Sequence, residues 1–297
     1  MGAGHKALSS GFQILAGRVR MRSFVRFVVA AVAVVALPLL AGANEKAEPD
    51  PAQSQYWPPI RQMMFGNKEI RDGKDVIRVY LNTRADDAAT VPVSVKAQID
   101  QSSGRHIKNV YLIVERNPSP VAGIFRFTPE SGRAQIETRL RFEDFSFVRA
   151  IAETSDGELF MSSKWVKAAG GCSAPADKNR MPENLVGTMK FRFADETVEA
   201  SKPALVQLMI RHPNESAMAS DFDSSKVPQF VRHVSVTYAG RPVMDADVDF
   251  SISDNPSFRF YFIPEKEGAL EATVEDTHDK RYVHKAVIIE GVPLPGG

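Results

Sequence analysis

Cysteine is nearly absent, because the chain of 297 residues contains only one, Cys172. One cysteine cannot form a disulfide within the chain, so an apolar core must stabilise the fold. A basic surplus is also missing, since 37 Lys and Arg residues stand against 36 Asp and Glu residues. Removing residues 1–43, which hold five basic residues and no acidic one, leaves a net charge of about −4. This balance argues against a nucleic-acid-binding protein.

A long apolar run is missing as well. The apolar stretch 27–40 is shorter than the roughly 20 residues of a membrane-spanning helix. It follows the basic segment 21–26 and precedes Ala41-Gly42-Ala43, which is the order of parts in a secretory signal peptide. We expect residues 1–43 to be a signal peptide with an N-terminal extension, cleaved on export to the periplasm. No cysteine follows the cleavage region, so we expect no membrane anchor after cleavage.

The mature chain begins with a polar stretch and continues with β-strand patterns. Residues 44–55 are polar and contain prolines, which predicts a flexible lead-in. Two prolines and apolar residues at helical spacing predict a short helix over 57–65. Apolar and polar residues then alternate, and Gly, Ser, Asn and Pro separate the runs. This pattern predicts an antiparallel β-sandwich over 56–169, with strands at 76–81, 91–99, 110–115, 124–127, 134–140, 147–153 and 159–166.

The second half repeats the pattern after a linker. Residues 170–197 begin with Gly-Gly-Cys-Ser-Ala-Pro, and we interpret them as a cysteine arm and linker. A second immunoglobulin-like sandwich is predicted over 198–297, with strands at 204–211, 231–238, 243–250, 257–262, 270–275 and 283–289. The fold class is therefore all-β, with two immunoglobulin-like antiparallel β-sandwich domains after the signal peptide.

The cysteine is the candidate functional residue. Gly170 and Gly171 precede Cys172 and Ser173 follows it, with no bulky apolar neighbour to cover the thiol. We therefore expect an exposed thiol that reacts with other molecules. Three lysines lie near it in the sequence and could lower its pKa, namely Lys164, Lys167 and Lys178.

The order of these parts resembles the sulfur-oxidation carrier pair SoxY and SoxZ, fused into one chain. The first half resembles SoxY in its layout and in the Gly170-Gly171-Cys172 segment. The second half resembles SoxZ through the segments 210–213, 238–243 and 253–260. The trailing glycine pair of the SoxY arm is replaced here by Ser173-Ala174.

The resemblance implies a carrier and not an enzyme. In SoxY the arm cysteine holds sulfur intermediates covalently while partner enzymes act on them, and Cys172 matches that cysteine. A fused chain of this kind is similar to the SoxYZ-like carriers that accompany quinoprotein dehydrogenases. The partners that the resemblance implies are periplasmic redox or sulfur-processing enzymes. It also implies that this chain has no catalytic residue, cofactor or metal of its own.

The sequence fits a hydrolase, a copper protein and a calcium-binding protein less well. A cysteine hydrolase needs a histidine base, yet none of the histidines lies in a recognised catalytic motif. A copper site needs clustered methionines and histidines, and here they are scattered. Asp245, Asp247 and Asp249 lack the glycine and glutamate of a calcium loop and fit a solvated strand face. A structural or protein-binding immunoglobulin-like periplasmic module without covalent cargo is the main alternative.

Overall fold

The computed structural model describes residues 48–101, 104–175 and 181–294. The signal peptide predicted for residues 1–43 lies outside the described residues. Among the described residues, no helix combines the length and the apolar character that crossing a membrane would need. Two β-sheets pack face to face around a shared core.

One α-helix precedes the strands. Helix α1 spans Trp57–Phe65, as the sequence predicts, with prolines in its first turn and Gly66 ending it at φ 57°. Its buried side chains Trp57, Ile60 and Phe65 pack with Ile151 and Leu159 of the larger sheet. The helix therefore covers the outer face of that sheet at one end.

In the part of the chain that the structure describes, sixteen strands form the two sheets. They are β1 (Ile70–Asp72), β2 (Ile77–Tyr80), β3 (Val91–Ala97), β4 (Ile107–Val114), β5 (Val121–Phe127), β6 (Gln135–Leu140), β7 (Ser146–Thr154), β8 (Leu159–Val166), β9 (Met189–Phe193), β10 (Ala204–Ile210), β11 (Val231–Tyr238), β12 (Arg241–Val248), β13 (Ser257–Phe262), β14 (Gly268–Asp276), β15 (Arg281–Ile289) and β16 (Val292–Leu294). The all-β class and the predicted strands are confirmed.

The larger sheet joins both halves of the chain. Its ten strands run in the order β1-β8-β7-β4-β5-β12-β11-β14-β15-β16. Strand β5 of the first half pairs antiparallel with β12 of the second half, from Gly123 opposite Val248 to Phe127 opposite Met244. The sandwich domains therefore continue into one another through main-chain hydrogen bonds.

The smaller sheet also crosses from one half to the other. Its six strands run in the order β2-β3-β6-β13-β10-β9. Here the junction between β6 and β13 is a single residue pair, Glu137 opposite Arg259. Their side chains form an ion pair across it at 2.9 Å.

The core is continuous across the junction. Phe125 of β5 and Phe258 of β13 are both fully buried, and their ring centroids lie 6.2 Å apart. Alternating apolar residues along each strand supply the rest of this core, because only one face of each sheet is turned inward. The two halves consequently share their buried apolar surface.

Three short strands lie outside the sequence predictions, namely β1, β9 and β16. Strands of three to five residues give too few alternations for the pattern to detect. Strand β9 lies inside the range 170–197, where the sequence indicates a cysteine arm and linker, and it pairs with β10.

Part of the range expected to be a flexible lead-in contacts the sandwich. The fully buried Arg149 donates a hydrogen bond to the carbonyl oxygen of Pro51 at 2.6 Å and forms an ion pair with buried Glu115. Ser54 donates a hydrogen bond to the same glutamate. A buried ion pair needs close hydrogen-bond partners, and Pro51 and Ser54 supply two of them. These contacts hold residues 51–54 against the larger sheet.

Candidate functional site

The chain reaches Cys172 from the end of strand β8. Lys167 donates its backbone N–H to the Thr83 carbonyl oxygen at 2.7 Å, and Ala168 is buried. Gly170 then takes φ 81°, a left-handed conformation that favours glycine. This turn directs Gly171 and Cys172 back into the protein. Residues 168–175 are called the cysteine arm below.

The loop between β6 and β7 holds the cysteine arm. Gly171 donates its N–H to the Phe142 carbonyl oxygen at 2.7 Å, and Gly170 donates to the Glu143 carbonyl oxygen at 2.9 Å. A carboxylate oxygen of Glu143 accepts the backbone N–H groups of Cys172 and Ser173 at 3.2 and 3.0 Å. The Ser173 hydroxyl donates to the same carboxylate at 3.0 Å. Glu143 thus binds the arm through three donors, two of them main-chain groups.

Gly171 has a steric role at this point. A Cβ atom built at Gly171 would overlap the carbonyl oxygen of Ala88, in the segment between β2 and β3. Phe142 donates its N–H to the same carbonyl at 2.9 Å, so that this oxygen is fixed. The arm can therefore lie in this position only because residue 171 has no side chain.

The second half of the chain completes the surroundings of the arm. Ser220 donates its N–H to the Ser173 carbonyl oxygen at 3.1 Å. Buried Arg141 donates hydrogen bonds to the carbonyl oxygens of Asn214, Phe250 and Ile252, each at 2.8 Å. Ala88, Arg141, Phe142 and Glu143 are called the arm seat below.

The structure corrects the expectation of an exposed thiol. Cys172 is fully buried, with no solvent-accessible surface. The sequence suggested exposure because its neighbours along the chain are small and polar. The arm seat lies 29 to 31 positions away at Arg141, Phe142 and Glu143 and 84 positions away at Ala88, where the composition of the sequence neighbours cannot show it. In the conformation described, the arm is closed.

Burial also sets the protonation state of the thiol. It raises the pKa of Cys172 to about 12, and the carboxylates of Glu143 and Asp249 act in the same direction, whereas Arg141 opposes them. Of the lysines near Cys172 in sequence, Lys164 and Lys167 are not among the groups that shift its pKa, so the expectation that they lower it is wrong. Lys164 pairs with Glu48 at 3.5 Å, and Lys178 lies outside the described residues. The closed arm therefore holds a protonated, unreactive thiol.

Other candidate residues have structural partners. His212 is buried 3.4 Å from Asp276, and burial lowers the pKa of this histidine. Asp245 and Asp247 pair with Arg126 on the outer face of the larger sheet. Within the described ranges there is no group of three or more metal-ligating side chains that could hold a metal ion.

Fold and site together define a two-sandwich β-protein with one cysteine, held where the first sandwich ends. Residues 61–172 match the family model described as sulfur oxidation protein SoxY, and residues 189–287 match that of sulphur oxidation protein SoxZ. The chain belongs to these two families, with a SoxY domain and a SoxZ domain in tandem. The SoxY match ends at Cys172 itself.

Solved structures show weaker likenesses. The sulfur carrier protein SoxY from Chlorobium limicola f thiosulfatophilum is 21% identical, covers 37% of this chain and 89% of its own, and has a TM-score of 0.32. A beta-glycosidase from Bacteroides vulgatus is 12% identical over 73% of this chain and 25% of its own, with a TM-score of 0.21. No curated protein sequence matches the chain.

Proposed function

We propose that this protein is a carrier whose Cys172 thiol holds sulfur intermediates covalently and presents them to partner enzymes. The observation that supports the proposal most directly is that the SoxY match extends to residue 172, the only cysteine in the chain. The Gly170-Gly171 pair before it provides a turn and a close contact that seat the thiol. The chain would be the substrate of its partners and not a catalyst.

A redox-neutral exchange can load the thiol. The Cys172 thiolate attacks the outer sulfur of a persulfide donor, a new S–S bond forms, the S–S bond of the donor breaks, and the donor leaves as a thiolate. No external oxidant is needed, because the transferred sulfur is already at the oxidation level of a persulfide in the donor. The cargo is then one sulfur atom on Cys172, available to a partner enzyme by the same kind of exchange.

Loading requires the arm to leave its seat. With a pKa of about 12 in the closed arm, about one thiol in 10⁵ is ionised at pH 7. A released cysteine near its ordinary pKa of 9.0 is about one per cent thiolate at the same pH. The carrier would therefore alternate between a closed arm, in which the thiol is protected, and an open arm, in which it reacts.

We place the carrier in the periplasm, on the basis of the signal-peptide pattern in residues 1–43. Its partners would be periplasmic redox or sulfur-processing enzymes, including those of a quinoprotein dehydrogenase system.

The intact mass of the protein tests the proposal. The mature chain is incubated with a small-molecule persulfide, freed of excess reagent, and measured before and after reduction, with Cys172→Ser as the control. Addition of one sulfur atom that is lost on reduction and absent in Cys172→Ser supports the carrier. The incubation is repeated in mild urea, which opens the arm, and alkylation confirms that the thiol is then accessible. If the mass is still unchanged after incubation with the persulfide, the carrier proposal is rejected.

A structural, protein-binding module is the second candidate, and the burial of Cys172 favours it. In that case the cysteine is a small apolar residue of the interior. Cys172→Ser separates the two candidates, because a structural module keeps its binding partners and its function, whereas a carrier loses its function and keeps its fold.

A further inference from the structure

A groove of about 1310 Å³ lies on the outer face of the smaller sheet. Both halves of the chain line it, with Tyr80 and Arg139 from the first and Met209 and Arg259 from the second. It crosses the place where β6 and β13 meet through a single residue pair. The groove therefore exists only where the two domains are joined.

The groove is strongly basic. Five cationic side chains line it, namely Arg139, Lys164, Lys190, Arg211 and Arg259, against one carboxylate, Glu137. Glu137 neutralises Arg259 at 2.9 Å, and Glu48 lies 3.5 Å from Lys164. Arg139 donates hydrogen bonds to the backbone carbonyl oxygens of Asp254 and Asn255. Because these carbonyl groups carry no net charge, the contact does not neutralise the positive charge of Arg139. This surface is positive although residues 44–297 together carry a net charge of about −4.

Two of the cations are available to an incoming group. Lys190 and Arg211 are exposed, and neither forms an ion pair with any residue of the ranges described. Met209 lies opposite Lys190 in the β9–β10 pair and is 43% exposed, and Tyr80, which is 45% exposed, lies on β2 at the other edge of the same sheet. Arg, Tyr and Met are enriched at protein interfaces, and clusters of them suit a polypeptide better than a small anion.

The groove lies next to the arm seat. Asn82 lines the groove, and the following residue, Thr83, accepts the hydrogen bond from Lys167 at the base of the arm at 2.7 Å. On the other side, the carbonyl oxygen of Arg139 accepts the N–H of Ser253 at 3.0 Å, and the Ser253 hydroxyl donates to Ala89, beside Ala88 of the seat. A molecule bound in the groove would lie beside the arm.

We propose that this groove docks an acidic segment of the partner enzyme that receives Cys172, an inference that rests on the proposed carrier function. Opposite charges steer the two proteins together and fix their orientation. The apolar side chains then contribute contact area at short range. Docking in the groove would bring the reacting centre of the partner to the side of the molecule on which the arm opens.

Binding of a defined acidic peptide tests the groove. The probe is a fluorescein-labelled peptide of alternating glutamate and serine, followed by anisotropy at low salt, and the same peptide with glutamine for glutamate is the control. Reversal of both free cations, Lys190→Glu with Arg211→Glu, should weaken binding at least about tenfold. The matched control is the double variant Lys74→Glu with Lys266→Glu, because both lysines are exposed and form no ion pair among the described residues. It should change the affinity for the acidic peptide less than about twofold. Equal loss in both pairs, equal binding of the control peptide, or displacement by sulfate as effective as by unlabelled peptide would overturn the proposal.

A second measurement links the groove to the thiol. Both peptides carry a terminal pyridyl disulfide, which the Cys172 thiolate attacks at the peptide sulfur, so that a mixed disulfide forms and pyridine-2-thione leaves. The acidic peptide should react faster than the control, and reversal of Lys190 and Arg211 should remove the difference. Reaction of both peptides at one rate rejects the docking groove and leaves the carrier function standing. If the acidic peptide binds and neither peptide reacts even in Gly171→Ala, the carrier function fails, and with it the assigned role of the groove.

Discussion

At the level of single residues, Glu143 determines how firmly the cysteine arm is closed. Its carboxylate accepts hydrogen bonds from two main-chain groups of the arm and from the Ser173 hydroxyl. Hydrogen bonds to a charged acceptor stabilise by about 1.5–3 kcal/mol, against about 0.5–1.5 kcal/mol for a neutral one. The charge of Glu143 is therefore a substantial part of what holds the arm.

Replacing that charge should open the arm. In Glu143→Gln the weaker acceptor should raise the alkylation rate of Cys172 about three- to tenfold at neutral pH. The rate is measured with iodoacetamide and intact mass, with Glu267→Gln as a control, because Glu267 is exposed and remote from the arm. An unchanged rate in Glu143→Gln would show that the arm is held mainly by its other hydrogen bonds.

The raised pKa of Cys172 predicts a loss of stability in alkali. Because the pKa is about 12 in the folded protein against an ordinary value of 9.0, the stabilising contribution is complete below pH 9 and declines as pH rises from 9 towards 12. At pH 10 the loss should be about 1.4 kcal/mol.

Thermal denaturation between pH 8 and pH 10 provides the measurement. The melting temperature of the wild type should fall more steeply over this range than that of Cys172→Ser, in which the other titrating groups are the same. Parallel curves for the two proteins would mean that the thiol already ionises freely in the folded state.

At the level of elements, the arm and the segment between β2 and β3 fit together through Gly171. In Gly171→Ala the new methyl group would overlap the Ala88 carbonyl oxygen. Such overpacking costs about 1–3 kcal/mol, which corresponds to about five- to more than a hundredfold in the equilibrium between closed and open arm.

Alkylation kinetics check this expectation. Gly171→Ala should react at least about fivefold faster than the wild type, with a circular dichroism spectrum that remains unchanged. Gly104→Ala is the matched control, because a Cβ there meets open space. If Gly171→Ala reacts no faster than Gly104→Ala, the arm does not need the close approach to Ala88.

The sequence predicted most elements and missed the local environment of the thiol. Helix α1 and strands β8, β11 and β13 have the predicted bounds, since long apolar alternation is a local property of the chain. The burial of Cys172 depends on Glu143 and Ala88, which are distant in sequence, and no local pattern reports such a contact. The resemblance to SoxY singled out Cys172 as the candidate carrier residue, which stays a prediction, and it did not indicate the conformation that covers the thiol.

At the level of the whole molecule, the two domains share sheets and core, so they should unfold together. Both tryptophans of the chain, Trp57 and Trp165, belong to the first half, whereas Phe258 lies in the second and contacts Phe125. Phe258→Ala should destabilise the protein by about 3–5 kcal/mol. This loss of stability should be visible in the tryptophan fluorescence, although both tryptophans are remote from residue 258 in the sequence.

Urea denaturation followed by tryptophan fluorescence tests the coupling. The midpoint for Phe258→Ala should shift to lower urea, in one transition that coincides with the loss of circular dichroism. Val292→Ala, a change at an exposed residue of the second half, should leave the midpoint nearly unchanged. An unshifted fluorescence midpoint in Phe258→Ala would mean that the domains unfold independently.

The sequence alone predicted two sandwiches but could not show that their sheets continue into one another, because strand pairing between distant segments leaves no periodic signal.

The attachment of Lys167 to Thr83 limits how far Cys172 can move when the arm opens. If Ala168 stays buried when the arm opens, Cys172 follows it by four positions, and a fully extended chain spans at most about 3.5 Å per residue. The Cα atom of Cys172 can then lie no further than about 14 Å from that of Ala168. In the proposed carrier, a partner would accordingly need its reacting atom in a cleft shallow enough for Cys172 to reach, so that the length of the tether selects partners by the depth of their active sites.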